Sequence, residues 1–359
     1  MKVLLVGFKG QFTNSSGAGI DRYVYELYKN LMKSKGLDLH KKELSALTFN
    51  VSGLHYAVNY TINQMIYYLK SSFLPTNFNI IHYPSAILAP HHRNRNILAL
   101  RTIHDFGPVL YPEITFDNYK YDYRLKLLNN LIIKRIYNNQ LNADYFIADS
   151  SQTRDEAIRL GIEKDKISVI NLGVDNRFLI KRKKEAYHKI FNIGYIGAIT
   201  YRKNTKMIIE TAKHLHADIP VNIYGNYTPE YFRKIDSIAI KKNIHFKGFA
   251  PEYKLVDIYD SFDVFTFPSL YEGFGLPILE AQARGLPVII YKYGKIPKEV
   301  RKYCFEAESP EHMAQIIMDL KKNGYNEKLQ KRATEYARTF TWEKCARETI
   351  MVYKRLLEK

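Results

Sequence analysis

The chain opens on KVLLVG, an apolar run without polar alternation, which predicts a strand buried on both faces of a parallel sheet. SSGAGIDRYVYELYKNLMK follows, a glycine turn entering a segment whose apolar residues recur at helical spacing. The same succession returns in the second half. FNIGYIG reads as a strand, and residues 205 to 214 read as a helix with Asn204 at its N-cap. Residues 264–268 read as a short buried strand, residues 277–284 as a helix whose first turn begins at Pro277, and GLPVII as the next strand. Strands and helices alternate along almost the whole chain without a repeat of solenoid period, which predicts an α/β fold with parallel sheets. The polar, basic stretch RFLIKRKKEAYHK interrupts the alternation, placing a domain boundary at residues 173–184.

A length of 359 residues with 46% hydrophobic content is enough for two compact domains, each with its own core. There is no secretory signal and no apolar run of about 18 residues, so a cytoplasmic, soluble protein is expected. Cys304 and Cys345 lack metal-ligand spacing and are expected to be buried free thiols. With no Asp-x-Asp pair at a strand end and no His/Cys cluster, neither a metal nor another cofactor is expected.

The formal charge of +18 exceeds what two phosphate-binding residues would explain. An anionic membrane face is one candidate partner, since each basic residue near such a surface contributes about 1 kcal/mol. Segments 55–74 and 119–137 mix aromatic, apolar and basic positions in a way that suits peripheral contact, although the second also reads as a core helix with a solvated basic face. A hot habitat would produce a similar composition. Nucleic acid is not expected, because the basic residues are dispersed and no recognition signature accompanies them.

The chemistry concentrates in VFTFPSLYEGFGLPILEAQARGLPVII, where Glu272 and Glu280 stand eight positions apart around a glycine-bracketed turn. Gly273 and Gly275 are expected to adopt positive φ, letting the amides of Phe274, Gly275 and Leu276 point at a phosphate. Glu272 in the turn and Glu280 one turn inside the helix would face different parts of one ligand, Glu280 accepting ribose hydroxyls and Glu272 facing a sugar. Two solvated helix-end glutamates are the plainer alternative. Arg202 and Lys203 precede the Asn204-capped helix, so two cations and free amides are expected to converge on a departing diphosphate; a surface basic pair is the alternative there. GAGIDR near the N-terminus lacks the third glycine of a dinucleotide fingerprint.

EGFGLPxLEA followed by GxPV resembles the donor-site signature of glycosyltransferase family 4, retaining enzymes of the two-domain GT-B fold. GYIGAITYRKN at 194–204 is similar to the family's strand, glycine turn and basic pair, which implies Arg202 and Lys203 as diphosphate ligands. NIIHYPS at 79–85 and LALRTIHDF at 98–106 resemble further family strands, the second supplying His104 and Asp105 near the donor sugar. SVINLGVD at 168–175 and TFTWEKCARET at 339–349 are similar to the entry to the interdomain linker and to the terminal helix. Where the family carries two adjacent glycines in its first loop, this chain has Ala18 and Gly19, so Gly19 is the one expected at the donor phosphates. Tyr224, Gly225 and Phe249 fall in the region used for the base.

The resemblance implies two Rossmann-like domains with parallel sheets facing across a cleft. An acceptor-side domain would span residues 1–175, a linker 176–190 and a nucleotide-sugar-binding domain 191–338, with a terminal helix in 339–359 packing back on the first. The implied activity is retaining transfer of a hexosyl group from a nucleoside diphosphate sugar, GDP-mannose before UDP-hexose, to a hydroxyl of a glycan, lipid-linked or small-molecule acceptor. Catalytic roles fall to Glu272, His104, Arg202 and Lys203. Donor binding falls to Gly19, Arg202, Lys203, Tyr224, Gly225, Phe249, Gly273, Phe274, Gly275, Leu276 and Glu280. Other classes open to the same fold are a sugar-nucleotide epimerase, a phosphorylase, for which no pyridoxal-phosphate lysine motif stands out, and a non-catalytic sugar-nucleotide or polyanion binder.

Overall fold

The computed structural model describes residues 1–13, 19–44, 74–85, 96–115, 141, 143–180, 191–226 and 243–358. Segment 119–137, all but the last residue of 55–74, Ala18 and residues 181–190 lie outside the described residues. Among those described, no helix is long and apolar enough to cross a membrane.

The chain divides into two compact units. The first contains a six-stranded sheet in the order β2-β1-β3-β4-β5-β6, formed by β1 (Lys2–Phe8), β2 (Asp38–Leu44), β3 (Ile80–Tyr83), β4 (Leu98–Ile103), β5 (Tyr145–Ala148) and β6 (Ile167–Val169). Every pairing is parallel. Strands β1, β3, β4 and β5 are buried along nearly their whole length, which is why they read as unbroken apolar runs. The outer strand β2, DLHKKEL, instead exposes charged side chains that discourage pairing with another chain.

Helix α1 (Gly19–Leu31) lays Tyr23, Val24, Leu27 and Leu31 along one buried stripe. The final helix, α8 (Trp342–Leu357, after α6, Pro310–Asn323, and α7, Glu327–Ala337), belongs to this first unit although it is last in sequence. A buried polar chain fastens it: Tyr353 Oη lies 2.7 Å from His82 Nδ1, His82 Nε2 2.9 Å from Thr102 Oγ1, and Thr102 Oγ1 2.9 Å from Tyr23 Oη. Burial pushes the His82 imidazole down to about 3, so the ring is neutral and one of its nitrogens accepts.

The main body of the second unit runs Gly173–Thr341. Its parallel sheet has the order β12-β11-β10-β7-β8-β9, from β7 (Ile193–Ile196), β8 (Val221–Tyr224), β9 (Ile244–Gly248), β10 (Val264–Phe267), β11 (Val288–Tyr291) and β12 (Phe305–Ala307). Strand order reverses between β7 and β10, since β8 and β9 build outward on one side of β7 and β10 starts the other side. Loops leaving the carboxyl ends of strands at such a reversal diverge and leave a crevice, the usual ligand position in open parallel sheets.

The division between units falls at Leu172/Gly173, and residues just after it are held within the second unit. Arg177 donates to the Glu252 carboxylate, and Arg284 donates to the carbonyls of Phe178 and Ile180 while pairing with Asp260 at 2.6 Å. Residues 176–180 are therefore anchored by buried or half-buried guanidinium groups.

Candidate donor site at a sheet reversal

Lys203 and Glu272 leave the two strands that flank the reversal, Lys203 after β7 and Glu272 after β10. Lys203 Nζ donates to Glu272 Oε1 at 2.6 Å, and Arg202 Nη1 lies 3.6 Å from Glu272 Oε2. The site is nearly enclosed, with the Glu272 and Lys203 side chains 8% and 12% exposed. Burial alone would raise the Glu272 carboxyl, but the charges of Lys203 and Arg202 and the Lys203 hydrogen bond outweigh it and hold the group below the ordinary carboxylate range. The Phe267 ring lies 4.9 Å from Lys203 Nζ and forms one wall.

Backbone contacts set this register. Leu270 donates its amide to the Arg202 carbonyl at 2.8 Å, and Tyr271 forms a parallel bridge with Lys295, whose carbonyl accepts the Glu272 amide at 2.9 Å. The turn then enters α5, numbered after α2 (Ser151–Arg159), α3 (Thr205–Ala212) and α4 (Leu255–Asp260); α5 itself spans Leu276–Ala283. Gly275 takes the N-cap position at φ 106°, a conformation that favours glycine. Among the described residues no protein acceptor takes the amides of Phe274, Gly275 or Leu276. The Phe274 side chain packs inward against Phe340, ring centroids 6.2 Å apart, so its backbone rather than its ring faces the turn.

Several expectations need correction here. Gly273 does not adopt positive φ; Gly275 alone supplies it. The helix begins at Leu276, with Pro277 its second residue, since proline suits either of the first two positions, where its missing amide is not needed. Asn204 stands at the N-cap position of α3 but has left-handed backbone, φ 51° and ψ 40°, and its side chain makes no capping bond. The amides beside the basic pair are not free either, because Asn204 donates to the Tyr201 carbonyl and Lys203 to Thr200 Oγ1. The amide donors of the site therefore belong to α5, and the turn before α3 contributes the cations.

Glu280, one turn inside α5, is 4% exposed, and its Oε2 accepts a hydrogen bond from Tyr259 Oη at 2.8 Å. Tyr224 ends β8 and its carbonyl accepts the Gly197 amide, while the Gly225 amide donates to the Gly248 carbonyl at 2.8 Å. A Cβ on Gly225 would sit 1.8 Å from the Gly197 carbonyl oxygen, so close approach of two strand ends dictates glycine there. Phe249 follows β9 and is exposed.

In the first unit, Gly19 is the exposed first residue of α1, and His104 follows β4. The acidic partner of His104 is not Asp105, whose Oδ1 accepts the Gly107 amide instead, but Asp149 at the end of β5, with Nδ1 to Oδ2 at 3.2 Å. His104 Nε2 donates to the Pro84 carbonyl at 2.8 Å, so that nitrogen carries a proton and Nδ1 and Asp149 share another. Burial would lower the imidazole, but Asp149 outweighs it and the group is raised; burial lifts Asp149 to about 6. Asp149 was missed because it lies 45 residues from His104, although an acid ending a buried strand, YFIAD, was a usable signal. Tyr259 and Phe267 carried no such signal.

Two family models match the sequence: "Glycosyl transferases group 1" over residues 176–340 and "Glycosyltransferase Family 4" over residues 46–178. O-antigen chain mannosyltransferase B of Escherichia coli is 25% identical over 296 residues, covering 77% of this chain and 74% of that one. D-inositol 3-phosphate glycosyltransferase of Corynebacterium glutamicum is 26% identical over 249 residues, covering 61% of this chain and 60% of that one. Among solved structures, sucrose-phosphate synthase from Thermosynechococcus elongatus superposes with a TM-score of 0.77 at 18% identity over 100% of this chain and 99% of that chain. Anabaena HepE, determined with UDP-glucose, gives 0.68 at 15% identity over 99% and 100%. The fold is that of the GT-B glycosyltransferases.

Proposed function

Starting from the fact that the chain belongs to glycosyltransferase family 4, we propose that it moves a hexosyl group from a nucleoside diphosphate sugar to a hydroxyl of a glycan, lipid-linked or small-molecule acceptor, with retention at the anomeric carbon. The observation that carries the donor assignment is the meeting of Lys203 and Arg202 with Glu272 beside the amides that open α5. In the reaction the diphosphate gains charge as it leaves. Lys203, Arg202 and the amides of 274–276 offset that charge, and each preorganised donor contributes on the order of 10²–10³ in rate. Glu272 keeps Lys203 in place before the donor arrives and then turns to the sugar hydroxyls, while Glu280, braced by Tyr259, receives the ribose. To His104, held by Asp149 and Pro84, we assign the orienting of the sugar, and to Gly19, Tyr224, Gly225 and Phe249 the remaining donor contacts. Displacement occurs on the face the leaving group departs from, assisted by the phosphate oxygen.

GDP-mannose is the first donor to test, in keeping with the mannosyltransferase relative, and UDP-glucose the second, in keeping with the HepE complex. Peripheral contact with an anionic membrane fits the +18 charge and a lipid-linked acceptor.

A panel of UDP-, GDP- and ADP-sugars, screened by thermal shift and then by released nucleotide, tests the reading. Turnover with one donor is expected. Binding of a sugar nucleotide without release under any acceptor would sink the transferase in favour of a silent binder.

A further inference from the structure

Strand β4 reads LALRTI, and its fourth residue places a guanidinium inside an otherwise apolar or threonine-bearing strand. Arg101 is 0% exposed, and among the described residues Nε, Nη1 and Nη2 have no hydrogen-bond partner. Burial pulls the group down to about 9, with the Tyr83 phenol pushing the other way, so it remains charged at neutral pH. Tyr83 is its register partner on β3, is 1% exposed, and has a hydroxyl likewise without a partner among the described residues. Phe146 flanks Arg101 on β5.

An unpaired buried guanidinium weakens a fold relative to an apolar side chain of similar size, and a buried phenol without a partner does the same. Groups kept at a cost to stability are characteristically those that meet a ligand. The planar fork of an arginine matches a phosphate or carboxylate through paired hydrogen bonds, and a phenol can donate a third. Tyr83 is the last residue of β3, which flanks the strand-order reversal of the first sheet, and Arg101 stands near the carboxyl end of β4.

We propose that Arg101 and the Tyr83 hydroxyl form a receptor for an oxyanion, a phosphate ester or a carboxylate, carried by the glycosyl acceptor. This rests on the transferase reading only in naming the ligand an acceptor. It assigns the first unit an anion site separate from the diphosphate cations of the second.

The test is thermal unfolding and calorimetric binding of the full chain in inorganic phosphate, acetate or chloride at equal ionic strength, comparing wild type with Lys203→Ala, Arg101→Met and Tyr83→Phe. Phosphate or acetate should raise the Tm of wild type and of Lys203→Ala alike, and should fail to raise that of Arg101→Met. Which anion acts separates a phosphorylated from a carboxylated acceptor. Without anion, Arg101→Met should melt no lower than wild type. A lower melting point with the anion shift retained would make Arg101 a structural residue and overturn the proposal, as would an anion shift absent from wild type. Should Arg101→Met not fold, Tyr83→Phe decides: a phosphate Kd raised about three- to tenfold supports the receptor, and an unchanged Kd overturns it. UDP and GDP run in the same assay report the donor site, so a missing nucleotide shift beside an intact phosphate shift removes the donor reading alone.

Discussion

Lys203 Nζ sits 2.6 Å from Glu272 Oε1 across a sequence separation of 69 residues. The cation assigned to the diphosphate is thus held by the acid assigned to the sugar, in a site where an unpaired charge of either sign would be costly. Donor binding has to divide that pair without leaving either member alone, which a ligand bearing both diphosphate charge and sugar hydroxyls can do.

A double-mutant cycle reads this directly. Lys203→Ala and Glu272→Ala should each destabilise the chain by about 1–3 kcal/mol, because each removes one member of a nearly buried, hydrogen-bonded ion pair. The double variant should fall short of the sum by about 1–3 kcal/mol in urea unfolding. Nucleotide release, by contrast, should stay about 10²–10³ down in all three, since each lacks a ligand of the diphosphate or of the sugar whatever its stability. Additive stabilities would show the pair is not coupled.

Tyr259→Phe removes the donor to Glu280 Oε2 and leaves the ring in place. We expect a stability loss of about 1–2 kcal/mol and a higher KM for the donor with kcat nearly unchanged. A kcat that collapses at constant KM would take Glu280 off the ribose.

Asp149→Asn tests the imidazole partner. The acid is what holds His104 up against burial, so the variant's His104 should titrate below the ordinary histidine range while the wild-type ring titrates above it. Histidine proton resonances followed against pH distinguish the two, and identical titrations would discard Asp149 as the partner.

His82 links pH to the docking of the last helix. Folding depresses its pKa from the ordinary histidine value of 6.5 to about 3, so below 6.5 the unfolded chain binds a proton the folded chain refuses. The stability it contributes is therefore complete above pH 6.5 and is lost at about 1.4 kcal/mol per pH unit as pH falls toward 3. His82→Gln should flatten that slope in denaturant midpoints measured from pH 7 to 4. A slope unchanged by the substitution would assign the acid sensitivity to other groups.

The EGFGLP turn was legible in the sequence because its chemistry is local: Gly275 must stand where the backbone turns left-handed, and the α5 amides follow from the residues that begin a helix. Gly273 was misjudged for the same reason, since two glycines in one turn look alike until the turn geometry selects one. The error at Asn204 has a different origin, because an asparagine before a helix suits either a side-chain cap or a left-handed backbone, and only neighbouring packing chooses.

By itself the sequence determined the parallel α/β character, through apolar strand runs alternating with amphipathic helices, and it marked Arg202, Lys203, Glu272 and Glu280 as a candidate site. Tertiary structure alone decided the pairings: Lys203 with Glu272, Glu280 with Tyr259, and His104 with Asp149 instead of Asp105. Periodicity and turn chemistry are properties of a few successive residues, whereas a pairing depends on strand order, and strand order brings together positions that no short window of the chain contains.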